Sequence, residues 1–99
     1  MIVLFDEAAL ADVEEARAWY ANRGADLAYR FEDAVRTAVD AIATNPEAYP
    51  VLYRDARRIR LAVFPFNVHY CHYADRGLVL VVACVHARQS PATWKSRIR

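Results

Sequence analysis

Residues 57–63 read RRIRLAV, and their alternation decides the fold class. Ile59, Leu61 and Val63 fall on one side of an extended chain, and Arg58, Arg60 and Ala62 on the other. A period of two is the mark of a strand with one covered face. FPF at 64–66 makes a connection. Phe66, Val68 and Tyr70 then alternate with Asn67, His69 and Cys71 in a second strand. Asp75-Arg76-Gly77 supplies a hairpin turn. LVLVVACV at 78–85 is apolar throughout, as a central strand covered on both faces must be. The three segments predict an antiparallel meander.

Upstream of RRIRLAV the period is helical. MIVLF at 1–5 predicts an opening strand, and Asp6 a helix N-cap. Leu10, Val13, Ala16 and Tyr20 recur at helical spacing, and Asn22-Arg23-Gly24 ends that helix with Gly24 in a left-handed conformation. Asp26 opens a second helix whose apolar face is Leu27, Phe31, Ala34, Val35, Ala38 and Ile42. Asn45-Pro46 closes it, because proline disfavours helical geometry in the residue before it. Two helices joined by so tight a turn form a hairpin. Downstream, Ser90 caps and Pro91 starts a short terminal helix. The layout is a single α+β domain over residues 1–99, in two layers: an N-terminal strand, an antiparallel helical hairpin, a three-stranded antiparallel meander and a short C-terminal helix.

The composition is that of an ordinary globular domain, 57% hydrophobic and 25% charged. No apolar run approaches the ~20 residues of a membrane helix. The start turns acidic at Asp6 and lacks the basic opening of a secretory signal. Cys71 and Cys84 are too few for a disulfide framework, so a cytoplasmic protein with reduced thiols and no membrane contact is expected. The net charge of +1 conceals a division. Residues 1–53 hold four arginines against ten acids, a net −6. Residues 54–99 hold nine basic residues against Asp55 and Asp75, a net +7. That asymmetry points to an anionic partner for the second half.

Arg58 and Arg60 share one face, where planar guanidinium groups can grip phosphate or carboxylate. Arg57, Arg88, Lys95 and Arg97 lie in the same basic half. His69 and His72 resemble a metal pair, but three residues apart on a strand they face opposite ways. No metal site and no cofactor are expected. Cys71 and Cys84 read as buried thiols and neighbours across the hairpin. The acids of the first helix read as solvated helix faces, and Trp94 as the plug that seats the terminal helix.

WYANRGADLAYRFEDAVRTAVDAIATNPEAYP (19–50), RRIRLAVFPFNVHY (57–70) and VVACVHARQSPATW (81–94) together resemble the RelE/ParE family of bacterial toxins. The resemblance implies the toxin of a type II toxin–antitoxin pair, silenced by a cognate antitoxin through which alone it reaches operator DNA. Its members act either as ribosome-dependent mRNA endonucleases or as inhibitors of DNA gyrase. For the nuclease branch, Arg58 and Arg60 stand at the basic positions of one strand and Arg88 at the arginine after the last. Asn67 stands where an arginine is expected, and Trp94 where a tyrosine is. Asparagine carries no charge and indole does not titrate, which leaves His86 as the candidate acid or base. These departures favour a ParE-like gyrase inhibitor with no chemistry of its own. Arg57, Arg58, Arg60, Asn67, Arg88, Trp94, Lys95 and Arg97 would then contact target or antitoxin. The alternatives are a ribosome-dependent mRNA endonuclease using Arg58, Arg60, His86 and Arg88, and an inactive antitoxin-binding homologue. On the gyrase reading, removing residues 87–99 abolishes toxicity but spares most of the fold.

Overall fold

The computed structural model describes residues 1–98; Arg99, the last of the C-terminal cations, lies outside them. Strand β1 (Ile2–Phe5) leads into helices α1 (Glu7–Ala21) and α2 (Ala25–Thr44). Strands β2 (Val51–Tyr53), β3 (Ala56–Arg60), β4 (Phe66–Tyr73) and β5 (Leu78–His86) follow, and α3 (Pro91–Lys95) closes the chain. The five strands form one sheet in the order β1-β5-β4-β3-β2. β3, β4 and β5 make the antiparallel meander, and β1 joins it parallel to β5. No described helix is long and apolar enough to cross a membrane.

Local chemistry accounts for the element ends. The Asp6 carboxylate accepts the Glu7 N–H at 2.7 Å and caps α1. α2 buries Ala28, Phe31, Val35, Ala38 and Ile42, close to the expected stripe, and stops at Asn45. Ser90 accepts the Ala92 N–H at 3.3 Å, with Pro91 at the first helical position of α3. Gly77, at φ 60° and ψ 34°, takes the left-handed conformation in the turn before β5.

Four features depart from the sequence reading. α1 departs at its first turn, where Ala9 is fully buried and Leu10 is 56% exposed, while Val13, Ala16 and Tyr20 face the core as expected. Alanines at 9 and 16 form its buried contacts, and the small side chains let the helix lie close to its neighbours. Gly24 sits at φ 158° and ψ 131°, near the extended region, and caps α2 through its carbonyl instead of closing α1 left-handed. β2 adds a fifth strand that no alternation announces, since Val51 and Leu52 are both exposed.

The fourth departure lies in RRIRLAV itself. β3 ends at Arg60, Leu61 is still buried, and Val63 is 86% exposed at φ 72°. Phe64 N–H donates to the Ala62 carbonyl at 2.8 Å, which closes a γ-turn around Val63. A β-branched residue at positive φ is strained by roughly 1–3 kcal/mol. Val63→Gly is therefore expected to stabilise the protein by about 1 kcal/mol, the relief of strain exceeding the entropy glycine adds to the unfolded chain. A urea midpoint that falls in this variant would contradict the assignment of strain.

The sheet carries a core on each face. Toward α1 and α2 lie Phe31, Val35, Ile42, Val68, Tyr70, Val79, Val81 and Cys84. Toward α3 lie Ala56, Cys71, Val82, Ala83, Val85, Trp94 and Ile98. β5 contributes to both, as a central strand should. Its pairing with β4 jumps from Tyr70↔Val81 to His69↔Ala83, which leaves Val82 as the extra residue of a bulge. Val82 and Ala83 consequently both join the α3 side, and Cys84 turns toward the helices.

Candidate binding surface

Register brings the cationic face together. Arg58 pairs with His69 and Arg60 with Asn67 across β3 and β4. Directly opposed residues share a face, so all four lie on the α3 side of the sheet. His69 pairs in turn with Ala83, and Asn67 with Val85, on β5. α3 covers the centre of this face. Trp94 is 7% exposed, and its ring stacks on His69 with centroids 3.9 Å apart and planes 13° from parallel. Tyr53 meets the same indole edge-on at 6.0 Å, and the Lys95 ammonium lies 5.1 Å from the Tyr53 ring.

His69 is the residue that the sequence reading missed, having weighed it only as a metal ligand. It is 2% exposed, and neither ring nitrogen has a hydrogen-bond partner among the described residues. Burial, with the Arg58 charge in support, lowers its pKa to about 4. The ring is therefore neutral at pH 7. Asn67 Oδ1 is likewise buried and unpartnered. The signal available in the sequence was the spacing of β3 and β4 about the FPF connection, which sets His69 opposite Arg58.

The other proposed residues divide. Arg58, Arg60, Arg88 and Lys95 make no ion pair among the described residues. Arg57 faces away from Arg58 and donates to the Glu47 and Tyr49 carbonyls at 3.2 and 2.8 Å, tying down the loop after α2. Arg97 is not presented outward either. Its guanidinium grips Asp12 of α1 at 2.6 and 3.2 Å and donates to the Val82 carbonyl at 3.1 Å. Asp12 also accepts the Cys84 N–H at 3.0 Å, at the bulge. This acid was expected in solvent, yet it stands three residues after buried Ala9 and four before buried Ala16, on the packed stripe of α1.

His86 does not join Arg58 and Arg60. Its Nδ1 accepts the Arg88 N–H at 3.1 Å, and its ring lies 5.3 Å from Phe66 beside a pocket on the α1 side. Cys71 and Cys84 are not cross-strand neighbours: they pair with Leu80 and Val68 and lie in different cores. Burial, with Asp12 adding to it, pushes the Cys84 thiol up to about 12, and burial raises Cys71 as well, so neither is a thiolate at pH 7. His69 and His72 are held apart, the first on Trp94 and the second with Nδ1 3.3 Å from Glu47. Among the described residues no group of three His, Cys, Asp or Glu side chains could hold a metal ion.

Together these features define a small α+β domain that presents a cationic, aromatic-topped sheet face suited to binding. A family model, the ParE toxin of the parDE type II toxin–antitoxin system, matches residues 3–91, and the chain belongs to that family. Among solved structures, the chromosomal ParDE system from P. aeruginosa aligns at a TM-score of 0.62 and 14% identity, over 87% of this chain and 95% of that one. The intact E. coli RelBE complex gives 0.59 and 18%, over 89% and 98%. The isolated E. coli RelE toxin gives 0.58 and 17%, over 96% and 93%. At such identities these likenesses show the fold, which the two toxin types share. A comparison with curated proteins finds no match.

Proposed function

We propose that this toxin acts by binding DNA gyrase, alone or in its DNA complex, and that a cognate antitoxin neutralises it by covering the same cationic face. One observation carries the reading. The centre of the face is a neutral histidine sealed under a tryptophan beside an asparagine, ringed by arginines and a lysine. Fixed cations hold anionic surfaces. Cleavage of RNA needs in addition a group that moves a proton near neutral pH. A ring with a pKa of about 4 is ill suited to that task, Asn67 and Trp94 do not titrate, and His86 lies beside Phe66 on the α1 side, away from Arg58 and Arg60. The family match to ParE toxins agrees.

The test pairs two assays on purified full-length protein: inhibition of gyrase supercoiling, and integrity of mRNA on translating ribosomes. Loss of supercoiling with intact mRNA is expected. mRNA cuts that disappear in Arg88→Ala, with gyrase unaffected, would establish the nuclease reading in its place. Arg58→Glu combined with Arg60→Glu is expected to weaken antitoxin binding roughly 100-fold or more, because each reversal replaces a charge-assisted bond with repulsion. Unchanged affinity by calorimetry would remove this face from the antitoxin interface.

Deleting residues 87–99 is not a clean test of recognition. Trp94 and Ile98 complete the second core and Arg97 ties α1 to β5, so the deletion is expected to destabilise the sheet itself. Lys95→Glu, at an exposed position, keeps the core and alters the face.

A further inference from the structure

The geometry points to the open edge of β1 as the docking site of a second copy of this chain, the two β1 strands pairing antiparallel about a two-fold axis so that the two sheets become one. β1 ends the sheet order and pairs only with β5. The Ile2 and Asp6 N–H groups donate to the Gly77 and Val81 carbonyls at 3.2 and 2.9 Å, so the even residues bond inward. The N–H and C=O groups of Val3 and Phe5 therefore point to the open edge. Edge strands are ordinarily guarded by charge, proline or a bulge. IVLF holds neither charge nor proline, and its register with β5 runs without a shift.

Two observations make the occupant a second copy. The first is register. A strand that pairs with itself about an axis perpendicular to the sheet must set residues of the same face opposite each other. An axis at Val3 places Ile2 of one copy against Leu4 of the other, and Val3 against Val3 as a pair that exchanges both backbone hydrogen bonds. Ile2 and Leu4 are 64% and 51% exposed in the single chain. They share the α3 side of the sheet with half-buried Leu78 and Leu80, so the pairing joins two apolar strips that α3 leaves uncovered. The second observation is charge. Arg76 stands beside the beginning of β1, since the Gly77 carbonyl accepts the Ile2 N–H, and Asp6 and Glu7 follow its end. Antiparallel pairing brings Arg76 of each copy level with those acids of the other, two strand spacings or ~10 Å away, which extended side chains span. All three are exposed, and none makes a salt bridge among the described residues. Asp75, beside Arg76, opposes part of this attraction. Because the axis is perpendicular to the sheet, the dimer carries both cationic faces on one side.

Two short edge strands bury less than the ~1,200 Å² of a standard interface, so a dimer forming at about 100 μM is expected. Sedimentation velocity of the full chain at rising concentration measures it, and hydrogen exchange locates it. At about 1 mM protein the Val3 and Phe5 amides should exchange several-fold more slowly than in dilute solution, while the inward-bonded Leu4 amide changes little. Leu4→Lys should abolish the dimer, and Arg76→Glu should weaken it about tenfold. Glu7→Arg added to Arg76→Glu should restore it, and Asp75→Asn should tighten it; these positions are exposed, and circular dichroism checks the fold. A chain that stays monomeric at about 1 mM overturns the proposal. A dimer that survives Leu4→Lys, or that leaves exchange at Val3 and Phe5 unchanged, overturns it too. Slowing of those two amides only in the complex with co-expressed antitoxin would give the edge to that partner, and the proposal would fall.

Discussion

Asp12→Ala is expected to lower the stability of the fold by about 3 kcal/mol and to loosen the C-terminal segment. One carboxylate satisfies two partners that are 13 residues apart in sequence and meet at the bulge of β5. Its Oδ2 accepts from Arg97 at 2.6 Å and from the Cys84 N–H at 3.0 Å. Alanine strands the backbone N–H of a residue that is 1% exposed, a loss of roughly 1–3 kcal/mol. It also leaves the Arg97 guanidinium without its anion. Fully buried pairs lose about 3–5 kcal/mol on such a change. The side chains here are 22% and 16% exposed, so solvent screening reduces that share to about 1–2 kcal/mol. Asp12→Asn keeps an acceptor for Cys84 and is expected to lose about half as much. Urea unfolding measures the difference, and hydrogen exchange at residues 94–98 reports the loosening. An Asp12→Ala variant within about 0.5 kcal/mol of the parent would show that Asp12 is an ordinary surface acid.

Acidification supplies the second large effect. His69 has a folded pKa of about 4 against an ordinary value of 6.5, so below pH 6.5 the unfolded chain binds a proton that the folded chain refuses. Stability from this group is complete above pH 6.5, falls as the pH drops, and levels off below about pH 4. The difference of 2.5 pKa units amounts to about 3 kcal/mol. Carboxylates titrate in part of the same range, so the informative quantity is the difference from His69→Phe. That variant keeps an aromatic ring under Trp94 and removes the proton. Between pH 7 and pH 4 the parent is expected to lose about 3 kcal/mol more than His69→Phe. Parallel profiles would mean that His69 is hydrated and not sealed beneath α3.

Both effects concern how α3 and the residues after it are held. The Trp94–His69 stack and the Arg97–Asp12 pair fasten the same short segment, the first over the sheet face and the second at the backbone of β5. A five-residue helix has little stability of its own. Its place over the cationic face is set by these contacts, and so is the place of Lys95. Substitutions at Asp12 therefore reach the proposed target surface without touching it, and assays of toxicity need a stability measurement beside them.

Much of this architecture is determined locally and was legible in the residues. The stripe on α2 closely matches its period, Asp6 and Ser90-Pro91 mark helix starts, and the unbroken apolar run of β5 announces a strand with both faces covered. Alternation in β3 places Arg58 and Arg60 together because neighbouring side chains on a strand must point to opposite faces. Tertiary structure decided the rest. A γ-turn, not a longer strand, takes Val63 out of the core. The bulge at Val82 sends Cys84 to the helices and away from Cys71. Register sets His69 against Arg58, and chain closure sets Arg97 against Asp12, 85 residues away. Hydrophobic periodicity records which face of an element is covered; it holds no information about which distant partner covers it. Bulges, registers and ion pairs across the molecule exist only once the sheet order β1-β5-β4-β3-β2 has brought their residues side by side.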